Sequence, residues 1–404
     1  MSRRFTAVDL FCGAGGLGLG LEAAGFEVVE AVEKWRPAVD TYNTRFRRGA
    51  REAALDWDTA LPDADLYAGG PPCQGFSSAG RRKPGDARNT LVAVFAHLVA
   101  LRRPQAFIFE NVEGFLTGDQ GRWVLDLLSP LVAAGYCISV RKVNAANFGV
   151  PQHRKRVLVV GGLGWSPGLP APTHLAFGAP GALNVAEGCP RTPTVAQALA
   201  GLPAASNNGD PALLSDHVIK PPSPADLRRI RALEPGQTMK DLSEELWHET
   251  YRRRAYRRVK DGTPTERRGG APAGLRRLCP DQPSKAITSG APSELVHPTE
   301  DRTLTLRECA RLQTFPDDFV FAGTKSQRAL QIGNAVPPRL ATAVAAHVYA
   351  SMSSGGCEQA VPGIYEFTPT SSTGMSPALH RTVDLVCSTL PFPLSPSLSP
   401  FLSP

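Results

Sequence analysis

The stretch GGPPCQGFSS, residues 69–78, places a thiol, Cys73, directly behind two glycines and two prolines. Proline lacks an N–H and has a fixed φ, while glycine permits unusual φ. This segment therefore neither continues a strand nor opens an ordinary helix. The chain leaves a short apolar run, Asp65-Leu66-Tyr67-Ala68, and makes a stiff turn that displays Cys73, with Pro72 helping to form it. Two further sets of groups can work with a thiol. Glu110 and Asn111 end the very apolar run Phe107-Ile108-Phe109. In PQHRKRVLVV, Gln152, Arg154 and Arg156 alternate, so in an extended segment they point to one side, where the arginines can hold an anion or a polarised carbonyl.

A fourth element lies near the N-terminus. In FCGAGGLGLGLEAAGF (11–26), Gly13, Gly15 and Gly18 satisfy G-x-G-x-x-G between an apolar run and a helical pattern. Glu33 follows 20 positions after Gly13, where a carboxylate can accept hydrogen bonds from ribose hydroxyls. A nucleoside-containing ligand is implied. The glycines alone do not distinguish a dinucleotide from S-adenosylmethionine, nor a ligand loop from a turn that serves only tight helix–sheet packing.

Thiol, acid and paired guanidiniums suit covalent chemistry on a nucleobase. A cytosine ring is electron-poor at C6 and unreactive at C5. Addition of a thiolate to C6 makes C5 an enamine-like nucleophile able to take a methyl from a sulfonium. An acid such as Glu110 at N3 and an arginine at O2 would promote the addition, dividing one hard step into easier ones. The thiolate must be favoured over a thiol of pKa about 8.5, and the base must leave the duplex stack.

The elements that position these groups follow from the apolar pattern. FTAVDLF, FEVVEAVE, ADLYAGG, QAFIFENV and RVLVVGG read as buried strands, with helical patterns such as TLVAVFAHLVALRR (Leu91, Phe95, Leu98 and Val99 on one face) between them. RWVLDLLSPLVAAGY reads as a helix perturbed by Pro130. The alternation implies an α/β fold, a mostly parallel sheet with helices on both faces, whose strand ends would carry Cys73 and Glu110 on the functional edge. After Gly164 the pattern becomes Pro-, Gly- and Ala-rich. The boundaries expected are a catalytic domain over 1–165 completed by 329–353, an irregular second domain over 166–328, and a disordered Ser/Pro/Thr-rich tail over 354–404.

At 404 residues and 42% hydrophobic, the chain can bury a full core with room for two domains. No apolar run approaches the roughly 20 residues that span a bilayer, and the N-terminus lacks a cleavage-type signal, so a cytoplasmic protein is expected. The eight cysteines are scattered, without a C-x-x-C pair, and no metal site or disulfide framework is expected. The net charge of +7 is concentrated between Arg252 and Arg277, where ten Lys/Arg face only Asp261 and Glu266, leaving about −1 elsewhere. Such a patch, including Arg252, Arg253, Arg254, Arg257 and Arg258, reads as a phosphate-backbone contact or as a solvated charged face.

With these residues in view, the sequence closely resembles the DNA (cytosine-5)-methyltransferases over residues 5–350, with its blocks in the family's order. DLFCGAGG resembles the cofactor loop, GGPPCQGFS the nucleophile loop, ENV the N3-contacting segment and QHRKR the Q-x-R-x-R block. RTLTLRECARLQTFPDDF resembles the block that supports the recognition domain, and QIGNAVPP the closing cofactor block. The resemblance implies a Rossmann-like S-adenosylmethionine-dependent domain, with Cys73 as nucleophile, Glu110 at N3, and Asn111, Pro72, Arg154 and Arg156 as active-site support. Phe11 (against adenine), Gly13, Gly15, Gly16, Glu33, Asp56 and Asn334 would line the cofactor site. Gln74 and Ser77 would lie on a loop closing over duplex DNA, and 166–300 would read sequence.

A bacterial-type enzyme is implied, acting as a monomer and paired with a restriction endonuclease. Two alternatives stand beside it: the tRNA-acting branch of the same family, and an NAD-dependent oxidoreductase using the same glycine loop. The PPCQGFS loop and the long basic insert favour DNA over tRNA. An oxidoreductase leaves Cys73, Glu110, the arginine pair and the basic patch without a role.

Overall fold

The computed structural model describes residues 4–72, 90–179, 188–207, 214–252, 274–354, 360–370 and 375–393. Eight strands form the central sheet: β1 Thr6–Leu10, β2 Glu27–Glu33, β3 Ala50–Glu52, β4 Leu66–Gly69, β5 Ala106–Val112, β6 Tyr136–Asn144, β7 Lys155–Leu163 and β8 Gly363–Thr368. Their spatial order is β8-β6-β7-β5-β4-β1-β2-β3. All neighbours are parallel except β7, which runs antiparallel between β5 and β6.

The helices α1 Gly16–Ala23, α2 Arg36–Arg45, α3 Thr90–Arg102, α4 Arg122–Ala133, α5 Leu306–Leu312, α6 Lys325–Asn334, α7 Pro338–Ser353 and α8 Pro377–Thr389 accompany it. The layers form two cores. One gathers Phe95, Phe107, Phe109, Phe115 and Leu127, and the other Leu21, Phe26, Ile108, Leu340 and Val344. Phe107 and Phe109 thus face one side of β5 and Ile108 the other, as period-two alternation requires of a strand covered on both faces.

Three expectations need correction. The expected single apolar face of α3 is too narrow: Val92, Val94, Phe95, Ala96, Leu98 and Val99 are all buried. The helix of residues 122–133 runs through Pro130, which removes the N–H that would bond to the Asp126 carbonyl, and it ends three residues later. The tail is not disordered throughout. Residues 363–368 form β8, paired with β6, and α8 buries Leu379, Val383 and Val386. Ser/Pro/Thr composition hid two short apolar elements that need no core of their own, because they dock onto an existing sheet edge and helix face.

Candidate active site

β1 enters a tight turn in which Phe11 and Gly13 take positive φ (both 55°) and Gly15 takes 96°. A side chain at Gly16 would collide with the Val336 carbonyl, so the loop packs directly on the QIGNAVPP corner. Beyond β2, Glu33 ties the loop down. Its Oε2 accepts from the Gly13 N–H (3.1 Å) and its Oε1 from the Trp35 N–H (2.8 Å).

These groups wall a cavity of about 690 Å³ that also includes Phe11, Cys12, Trp35, Leu55, Pro72, Glu110, Arg156, Asn334 and Val336. That volume suits a nucleoside-sized ligand. The residues fit S-adenosylmethionine: aromatic faces from Phe11 and Trp35 for the adenine, the Glu33 carboxylate for ribose hydroxyls, and a loop whose backbone can be closely approached. Trp35 was missed at the sequence level because it carries no motif, although an aromatic just beyond an acidic strand end was a usable signal.

The same cavity is lined by groups expected to do chemistry. Glu110 and Arg156 pair at 2.8 Å across the antiparallel β5–β7 ladder, with both side chains largely buried. β4 delivers Gly70 against the Glu110 carboxylate, and Pro71 and Pro72 continue along the cavity wall. Cys73, Gln74 and Ser77 lie outside the described residues, as do Arg253, Arg254, Arg257 and Arg258. Arg252 is described and exposed, and donates to the Glu244 carbonyl.

Arg154 does not join Arg156 in the cavity. It is fully buried and donates to the carbonyls of Ile287 (2.8 Å), Gly333 (2.8 Å) and Ala335 (3.0 Å). The alternation argument fails because the chain is not extended there: the Arg154 N–H donates to the Gln152 carbonyl, two residues back. Burial pushes the guanidinium pKa well down, with Arg156 adding to the effect. Arg154 supports the site from behind.

Gln152 works beside it. Its amide donates to the Leu312 carbonyl (2.8 Å) and to Gln313 Oε1 (2.7 Å), and it accepts from the Ile287 N–H (2.9 Å). Gln313, buried and unforeseen from sequence, joins this hub to the Ile332 carbonyl. The QHRKR block, the end of α5 and the QIGNAVPP corner thus meet in one buried polar joint.

Three further residues differ from expectation. Asn111 is buried off the cavity wall, its Oδ1 accepting from the Val112 N–H. Gly15 does not line the cavity; it packs under the Phe46 ring. Asp56 is exposed and closes a local turn, accepting from the Thr59 hydroxyl and the Asp58 N–H, while Leu55 lines the cavity in its place. Within the basic stretch, Arg277 is internal: it donates to the Leu233, Ile230, His297 and Glu300 carbonyls and pairs with Asp301.

The profile of the C-5 cytosine-specific DNA methylases matches residues 5–350. The chain belongs to that family. It is 33% identical to the type II methyltransferase M1.HphI of Haemophilus parahaemolyticus, covering 84% of this chain and 85% of that one. It is 31% identical to M.AgeI of Thalassovita gelatinovora, covering 86% and 99%. Among solved structures, a DNA modification methyltransferase encoded within a prophage (E. coli) superposes with a TM-score of 0.64 at 25% identity, covering 86% of this chain and 99% of that one. The protein is a DNA cytosine-5 methyltransferase, and the oxidoreductase and tRNA alternatives are set aside.

Asp9, behind the cofactor loop, was also missed. It is fully buried, with the Gly18 backbone N–H beside its carboxylate. Burial, with the charge of Glu33 adding to it, raises its pKa well above the ordinary 3.8. A carboxyl that holds its proton more tightly when folded contributes stability at low pH. That contribution declines as pH rises from the ordinary carboxylate value toward the folded one. Asp9→Asn cannot ionise and is expected to escape this decline. Thermal unfolding from about pH 5 to about pH 8 should therefore shift progressively in favour of the variant. A pH-independent difference would mean that Asp9 titrates alike in both states.

Proposed function

We propose that this methyltransferase uses S-adenosylmethionine and acts through Cys73 on a cytosine turned out of duplex DNA. The observation that supports this reading most is the single cavity in which Pro72, Glu110 and Arg156 meet the loop held by Glu33. When bound, the cofactor supplies an electrophilic methyl on a sulfonium. The chain's own residues do the rest. The Cys73 thiolate adds to C6 of the ring from above its plane, forming a C–S bond. Glu110, once freed from Arg156, takes up the proton given up by the Cys73 thiol and delivers it toward N3, drawing off the electron density that the addition pushes in. Arg156 moves from Glu110 to the ring O2, because a base entering the cavity competes for the ion pair. C5 is then the nucleophile for the methyl group; loss of the C5 proton to water and breakage of the C6–S bond then restore the ring and release the Cys73 thiolate.

The segment 166–328 is read as the target-recognition domain, its basic stretch contacting phosphates. Arg257→Glu combined with Arg258→Glu is expected to weaken duplex binding and to flatten the dependence of log K on log salt by about 0.9 for each phosphate no longer neutralised. Binding titrations across salt concentrations check this, and an unchanged slope assigns the patch to a solvated face. Pairing with a restriction endonuclease, a monomeric state and a cytoplasmic site complete the reading. Among the described residues no helix is long and apolar enough to cross a membrane.

The test is methyl transfer from labelled S-adenosylmethionine to duplex DNA and to tRNA in parallel, with a 5-fluorocytosine duplex as a covalent trap. Label in DNA with a trapped adduct supports the reading; label in tRNA alone overturns it.

A further inference from the structure

We infer that the C-terminal unit, β8 and α8, is a brace for the reacting end of β5, and that Thr382 is a positioning residue for catalysis. The family match ends at residue 350, so nothing in the shared blocks assigns this unit a role. It is nonetheless built into the catalytic layer. β8 pairs with β6 from Gly363↔Cys137 to Thr368↔Arg141, and Glu366 holds Arg141 through two bonds of 2.6 and 2.7 Å.

The segment that the unit touches is the one that follows the proposed catalytic strand. Glu110 and Val112 line the cavity, and the chain passes at once into a 3-10 turn, Glu113–Gly121. The segment kinks at Gly118–Gln120, where Asp119 at φ 43° and Gln120 at φ 57° carry unfavourable backbone, before Gly121 at φ 94°. Consecutive left-handed non-glycine residues persist only where their surroundings impose them. Here α8 imposes them, and an ion pair holds the start of the segment. Lys142 pairs with Glu113 at the start of the turn. α8 covers the rest, with Leu379, Val383 and Val386 in one core with Phe115, Leu116 and Val124.

Thr382 is the point of contact. It is fully buried, and its hydroxyl donates to the Leu116 carbonyl at 2.8 Å, the shorter of two contacts, the other being its own helix's Ala378 carbonyl at 3.2 Å. At Gly121 a Cβ would come within 2.8 Å of Thr382 Oγ1 and 3.0 Å of its Cα, so helix and turn meet with no space between them. A loosened turn shifts the Glu110–Val112 end of β5, and small misplacements of reacting groups cost rate far more than binding.

The inference rests on the assignment of Glu110 to the chemistry. Thr382→Val keeps the shape and removes the donor. Steady-state methylation of duplex DNA by the full chain is expected to show kcat lower by about tenfold with KM for DNA and cofactor nearly unchanged. Amide exchange should rise within 113–121 but not in β1 or α7, and Thr382→Ser should restore both. If Thr382→Val fails to fold, exchange in the wild-type protein decides: residues 113–121 and 377–389 should open as one unit. Unaltered kcat with unaltered exchange, or independent opening of the two segments, overturns the brace. Glu110→Gln with an unaltered kcat overturns the Glu110 assignment itself, which separates the two failures.

Discussion

Cys73→Ala is expected to abolish methyl transfer, lowering the rate by at least about 10⁴-fold, the scale on which loss of a nucleophile reads in other covalent enzymes. C5 of cytosine has no nucleophilic character until a group adds at C6, and no other described thiol is placed to add. Cys12 lines the cofactor cavity, but burial pushes its pKa well up, with Asp9 and Glu33 adding to the shift, so it stays a thiol. The approach to Cys73 is stiff: Gly70 lies against the Glu110 carboxylate, and two prolines follow along the cavity wall. Duplex affinity should survive, since it rests on phosphate contacts elsewhere. Labelled transfer with the 5-fluorocytosine trap measures the first half, and a duplex-binding titration the second. Methylation by Cys73→Ala at near wild-type rate would remove the covalent route altogether.

Glu110→Gln is the second large effect, a fall in kcat of about 10²- to 10⁴-fold, the range for loss of a positioned acid. Gln fills the same space beside Gly70, but its amide carries no transferable proton and no charge to hold Arg156, which pairs with Glu110 at 2.8 Å. Cofactor affinity should be nearly unaltered, because Glu33 holds Gly13 and Trp35 without any bond to Glu110. The two measurements together separate acid catalysis from a merely structural pair. If Gln cost only stability, thermal unfolding would shift while kcat at low temperature held.

Much of this site was legible in the sequence. Short apolar runs bounded by Gly, Pro or charge gave five of the sheet strands, because strands buried on both faces need uninterrupted apolar residues. β3, a three-residue edge strand, β6 and β8 were not read. β6 carries Ser139, Arg141 and Lys142 among its apolar residues, and β8 is a six-residue strand in a Ser- and Pro-rich surrounding. The acid at Glu33 was readable from its distance to the glycine loop. That its two oxygens would tether Gly13 and Trp35 was not.

Residue types and their order determined the chemistry: a displayed thiol, an acid at a strand end, a guanidinium and a glycine turn have few joint uses. Which of two arginines lines the cavity was decided only by tertiary structure. A kink of two residues turned Arg154 into a joint between distant segments, while the regular β5–β7 ladder brought Arg156 to Glu110. Spacing along a chain fixes the direction of a side chain only while the backbone stays regular. Asp9, Gln313 and Thr382 carry no local signal at all, since each acquires its role from a partner or a surrounding that folding alone supplies.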